Sequence, residues 1–342
     1  MNKDHGAVYV QTNDGDRNEL VVFERADDGR LERTGALATG GKGSGKPHLP
    51  SQGSVAVRNG WIIVTNAGSD DVSVFAAHEG KVTLVDRVAS GGSAPTNVAV
   101  HDNRVYVLNT RDEPNVSGFH IGEDGRLVSR QDATRSIGAS SDPAQVAVSP
   151  DGRTLVVTDR ATDSIHVFGV DEDGRLGEAV THASTGMTPY GFDFRADGTL
   201  VVTEAAGAQV GKASASSYAL VGPAELKPIT GPVPNTRSEV CWAAISKDGG
   251  HVFVTNFGDG TISTYAIGDD GSIALQDAVG ATTIEDRPGI RDEALTRDGR
   301  FLYALHADSH QVYGWEVGAG GTLTPIGAVD GLPATAAGLA AR

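Results

Sequence analysis

The chain has 342 residues, 39% of them hydrophobic and 21% charged, as in soluble globular proteins. A net charge of −16 argues against nucleic acid and anionic membranes as partners, since both require clustered Lys and Arg. The single cysteine, Cys241, excludes an internal disulfide and a thiolate metal cluster.

The first residues, MNKDHG, are polar and lack the apolar stretch of a signal peptide, and no 18 apolar residues run together. A cytoplasmic protein is favoured, with the mature part of an exported protein as the alternative. From there a strand pattern repeats. Short apolar runs ending in a polar residue occur at VYVQT (8–12), IIVTN (62–66), VYVLN (105–109), LVVTD (155–159), LVVTE (200–204), VFVTN (252–256) and LYALH (302–306). Their ends are 43 to 54 residues apart, which is a repeat of seven units.

Each run is followed by a second strand carrying an aromatic: Phe23, Phe75, Phe119, Phe168, Tyr218, Tyr265 or Trp315. Turns such as DDGRL (27–31) and EDGRL (123–127, 172–176) come next; Gly accepts positive φ and Asp caps its own turn, so these join antiparallel neighbours. The fifth unit has VGPAEL (221–226) in that place. A further strand precedes most runs: SVAV (54–57), NVAV (97–100), QVAV (145–148), GFDF (191–194), WAAI (242–245) and DEAL (292–295). Four strands per unit, with almost no helix, predict an all-β, seven-bladed β-propeller forming a single domain over residues 1–342. The first unit lacks its leading strand, and AAGLA (336–340) is a leading strand that nothing follows. Pairing of this C-terminal strand into the N-terminal blade closes the ring and removes an open edge.

A propeller surrounds a central channel, and loops on a rigid scaffold commonly carry function. The loops that cross between blades, together with those after the apolar runs, are expected to meet at one mouth. Candidates on the crossing loops are Arg237 and Glu239, the run Arg291, Asp292 and Glu293, and the aromatics Tyr190 and Trp242. Glu204 and His306 end two apolar runs where four of the other units have Asn or Asp. A glutamate and a histidine facing a shared channel suit general acid–base chemistry, and arginines suit oxyanion stabilisation. The same ring of side-chain oxygens is alternatively a Ca²⁺ site. GGKGSGKPHLPSQG (40–53) superficially matches a phosphate loop, but Pro47 stands where Ser or Thr is needed and a strand follows in place of a helix. It is read as a rim or lid, bringing Lys46, His48 and Gln52 near a ligand, with a flexible spacer as the alternative. AAGAQVGKASASSY (205–218) is read either as a long, exposed loop able to cover the mouth or as a simple insertion.

The seven repeats of xVAVSPDGRTLVVTD type and the terminal closing strand resemble the seven-bladed lactonase family, which includes 6-phosphogluconolactonase-like proteins and the fungal 3-carboxymuconate-lactonizing enzyme. The resemblance covers nearly the whole chain. It implies metal-independent chemistry by charged residues in the channel. In PYGFDFRADGTLVVTE (189–204), Glu204 falls on the family's glutamate, while Tyr190 and Gly191 occupy the places of its Arg and His. The expected function is hydrolysis of a small lactone or related carbonyl compound. Glu204 or His306 would move the proton, Arg237 and Arg291 would hold a carboxylate or oxyanion, and Glu239, Asp292 and Glu293 would orient those arginines or serve as the alternative base. A non-catalytic binding propeller and a lactonizing cyclase are the alternatives. The expected partner is a small molecule, bound by a monomer.

Overall fold

The computed structural model describes residues 6–47, 49, 52–78, 80–284 and 287–342. These form seven sheets of four antiparallel strands. Blade 2 is typical: Val55–Arg58, Trp61–Asn66, Asp71–His78 and Lys81–Ala89, in chain order from the channel outward. Blade 1 combines Gly6–Gln11, Glu19–Arg25 and Leu31–Ala38 with the C-terminal strand Ala337–Ala341 as its innermost member. Tyr9 pairs with Ala340 and Val10 with Leu339, so the ring is closed as the repeat predicts.

Residues along each strand alternate between the two faces of a blade, and both faces pack on neighbouring blades. Tyr106 and Leu108 of blade 3 therefore share one cluster with Leu155, Val157 and Phe168 of blade 4. Phe23, Phe75, Phe168, Tyr218, Tyr265 and Trp315, from the aromatic row, are fully buried. Each such side chain contributes about 1.5–3 kcal/mol of apolar burial. The hairpins that follow the inner strands are set locally by their aspartates. Ser149 Oγ donates to Asp151 Oδ1 at 2.6 Å, and Ser246–Asp248 and Thr296–Asp298 repeat that bond.

Two local features differ from expectation. The segment expected as a loop over 205–218 ends early, because Ser214–Gly222 is already the third strand of blade 5; Ser214 pairs with Glu204 across the sheet. A bulge also recurs near the start of the inner strands, with register slips between Pro95 and Asn97, Pro143 and Gln145, Pro189 and Phe192, Val240 and Ala243, and Ile290 and Glu293. Bulges re-aim side chains. Thr96, Ala144, Tyr190, Cys241 and Arg291, which sit at these slips, are all buried.

Among the described residues, no helix is long and apolar enough to cross a membrane.

Candidate functional site

Each inner strand is bonded on one side only, so its other edge faces the channel with unpaired N–H and C=O groups. Side chains of neighbouring inner strands fill part of that edge. Asn97 Oδ1 accepts from Val146 N–H at 3.3 Å, and Gln145 exchanges two bonds with the Phe192 backbone at 2.8 and 2.9 Å. Asp193 Oδ2 accepts from Ile245 N–H at 2.8 Å. Asp292 accepts from Leu339 N–H and Glu293 N–H, both at 2.9 Å, and from Gly53 N–H at 3.3 Å. Gln52 spans the channel from blade 2 to blade 6, donating to the Ala243 carbonyl at 2.9 Å and accepting from Ala243 N–H at 3.3 Å. Gln52 thus lies across the crossing-loop end of the channel, and Leu49 of the same loop is buried.

Beyond this belt the channel holds a cavity of about 400 Å³. Its polar lining is Gln52, Asn97, Gln145, Asp193 and Glu293. Its far end is framed by Val57, Val100, Val148 and Leu295, all partly exposed, so it opens on the side opposite the crossing loops. Glu293 is 2% exposed, and among the described residues neither carboxylate oxygen has a hydrogen-bond partner. Other inner strands carry Val55, Val98, Val146 and Phe192 at its place, and Ala243 and Ala244 on blade 6 offer it no polar side chain. Burial, reinforced by the charges of Asp292 and Asp193, holds the Glu293 carboxyl well above the ordinary range. Burial also raises Asp193 to about 6 and Asp292 to about 7, against the backbone N–H bonds that lower them. A carboxyl protonated near neutrality can donate to a carbonyl or return a proton to a leaving oxygen.

The other sequence candidates lie elsewhere. Glu204 is fully buried outside the cavity wall; it accepts hydrogen bonds from Ser214 Oγ at 2.6 Å, Thr185 Oγ1 at 3.3 Å and Ser216 Oγ. Gly186 of the crossing loop presses on it so closely that a Cβ there would meet its carboxyl carbon at 2.3 Å. His306 lies in the same way under Gly289, and its Nδ1 accepts from Ser309 N–H at 3.2 Å. Asn66 is likewise braced within its blade by Asp71 and Ser73, as Asn256 is by Thr261 and Ser263. The row that ends the apolar runs therefore braces crossing loops, and the expectation that Glu204 and His306 share the channel is corrected. Burial raises the Glu204 carboxyl and lowers His306, so both are perturbed without reaching the cavity. Among the described residues no group of three or more His, Cys, Asp or Glu is placed to hold a metal ion.

At the crossing-loop end, Arg291 Nη2 donates to Asp308 at 3.3 Å. Arg237 lies 3.7 Å from Asp259 and the Glu239 carbonyl accepts from Phe257 N–H, so neither arginine is in the wall of the cavity. Tyr190 and Trp242 pack edge-to-face at 4.8 Å inside the protein core and do not wall a ligand site. Lys46 is exposed, and His48 lies outside the described residues. Of the candidates among the described residues, only Gln52 and Glu293 line the cavity. Asp193, Asn97 and Gln145 were missed. The available signal for Asp193 was a lone acid in a row of alanines: Ala56, Ala99, Ala147, Ala244 and Ala294.

The family model described as lactonase, 7-bladed beta-propeller, matches residues 2–139, 61–210 and 205–330. The chain belongs to this lactonase family. Among curated lactonase relatives, the 6-phosphogluconolactonase of Yersinia pestis (strain Pestoides F) is 27% identical over 163 residues, covering 45% of this chain and 48% of the relative. The chain thus spans about half the length of the curated relatives it matches. Among solved structures, the periplasmic gluconolactonase of Pseudomonas aeruginosa superposes with a TM-score of 0.74 at 17% identity, covering 98% of each chain. A protein from Lactobacillus plantarum gives 0.78 at 16% identity, covering 99% of each. At these identities the structural likeness shows the fold alone.

Proposed function

We propose that the protein hydrolyses a small lactone in the channel cavity, with Glu293 as the acid–base group. The observation that carries this reading is a buried carboxyl, without a partner among the described residues, in the wall of a cavity large enough for a small ligand. In its ionised form Glu293 takes a proton from water as the water oxygen adds to the lactone carbonyl carbon. The tetrahedral intermediate then breaks its ring C–O bond, and Glu293 returns the proton to the departing ring oxygen. The intermediate's oxyanion faces N–H groups at the free edges of the inner strands. The N–H groups of Val146, Phe192 and Glu293 already bond channel-side acceptors; two residues onward, those of Val148 and Leu295 point the same way. The sequence-based assignment of oxyanion binding to Arg237 and Arg291 is replaced by these backbone donors. The acid–base steps of Glu293 use no metal, so a chelator is expected to leave turnover unchanged.

The test is a lactone panel assayed by acid release, with wild type and Glu293→Gln. The variant is expected to fold and to lose at least about a hundredfold in kcat, the usual scale of general acid–base catalysis. Wild-type turnover retained in the variant would remove Glu293 from the mechanism.

A further inference from the structure

The chemistry of the cavity wall points to the class of lactone it takes. The geometry points to an uncharged, hydroxyl-bearing ring, with a phosphorylated or carboxylated lactone disfavoured. This rests on the reading that a lactone is hydrolysed beside Glu293.

Three observations carry it. First, the lining residues include no Lys, Arg or His among the described residues, while Asp193 and Glu293 are both present and Asp292 stands next to Glu293. An anionic ligand would meet carboxyl groups and no counter-charge, and burying it would leave its desolvation uncompensated. Second, the nearby cations lie outside the cavity wall, although Arg291 Nε is buried without a hydrogen-bond partner among the described residues. Arg291 turns to Asp308 at the crossing-loop end. At the hairpin end, Arg195 is bridged to Asp197 at 2.5 Å, and Arg104 lies 3.9 Å from Asp102. Arg58, at the end of its inner strand, is exposed, where water and salt weaken its pull on an anion. Third, what the wall does offer is neutral. Asn97 Oδ1 is used by Val146, but its amide N–H₂ has no acceptor among the described residues. Past the N–H groups already bonded, the inner-strand edges add further backbone donors and acceptors, which suits hydroxyl groups around a ring.

At an effective dielectric of about 20, one negative charge about 8 Å from one ionised carboxylate is disfavoured about thirtyfold. The protein is therefore expected to discriminate against a phosphate ester by at least about tenfold, and to take up protons when it binds one.

Titration calorimetry at physiological salt would compare a polyhydroxylated six-membered lactam, as a non-hydrolysable mimic, with its phosphate ester, and a rate assay would compare the two corresponding lactones. Tighter binding of the uncharged lactam by at least about tenfold is the expected result. Ala99→Lys, which adds a cation to the opposite wall, should narrow that gap at least about threefold, as should Asp193→Asn. Two variants are used because Asp193 also ties Ile245. Equal or tighter binding of the phosphate ester by the wild type would overturn the ligand class and leave the hydrolysis reading standing. Binding of the neutral lactam without turnover of either lactone would overturn hydrolysis and support the ligand class. Failure of both lactams to bind would overturn both.

Discussion

Replacing Glu293 by Gln separates the charge of this side chain from its shape. Both carboxyl oxygens are buried without partners, and Asp292 and Asp193 add negative charge nearby, so the folded protein holds this proton well above the ordinary range. Between the unfolded value near 4.3 and the raised folded value, the folded state binds more protons than the unfolded chain. Stability is then fully present below the unfolded value and falls as pH rises through the window. One proton gives a slope of about 1.4 kcal/mol per pH unit. Asp292, held up to about 7 from 3.8, adds its own fall of about 4 kcal/mol in total, and this largely remains in the variant. Urea denaturation followed by Trp fluorescence, at steps from about pH 4.5 to 8, measures both curves. Within the window, the wild-type curve should be steeper than that of Glu293→Gln by about 1.4 kcal/mol per pH unit. The new amide is itself without partners, but that cost is independent of pH, so the slope is the readout. Parallel curves would refute the claim that Glu293 is a buried, unpaired carboxyl in the native protein.

Glu204→Gln replaces an acceptor of three hydroxyls by a group half of which donates. It should cost about 1–3 kcal/mol in urea denaturation, while kcat of the folded variant stays within about twofold of wild type. A hundredfold loss of kcat with unchanged stability would return Glu204 to the chemistry. Gln52→Ala removes both bonds that cross the channel to Ala243, and faster amide exchange in the opening loop and at Ala243 is expected; unchanged protection would show that other contacts hold the loop.

Much of this architecture is written in local chemistry. Apolar alternation defined the strands, Asp-Gly turns defined the hairpins, and a seven-fold period with a missing first strand and a surplus last one required ring closure. These signals need only near neighbours and the count of units, which one chain displays by itself. The direction of the functional side chains does not follow from them. Glu204 and Asn66 end equivalent strands, and that row points beneath crossing loops because glycines such as Gly186 and Gly289 leave room there. The charged run Arg291, Asp292, Glu293 was visible as a cost needing partners, but the bulge between Ile290 and Glu293 sends its three members to three different surroundings. Arg291 goes to the crossing-loop end, Asp292 ties the opening loop and closing strand, and Glu293 lines the cavity. Composition and period thus determined the propeller and its closure. Only the packing of blades decided which carboxyl is left unpaired, because the missing partners of Glu293 are Ala243 and Ala244, about fifty residues away in the preceding blade.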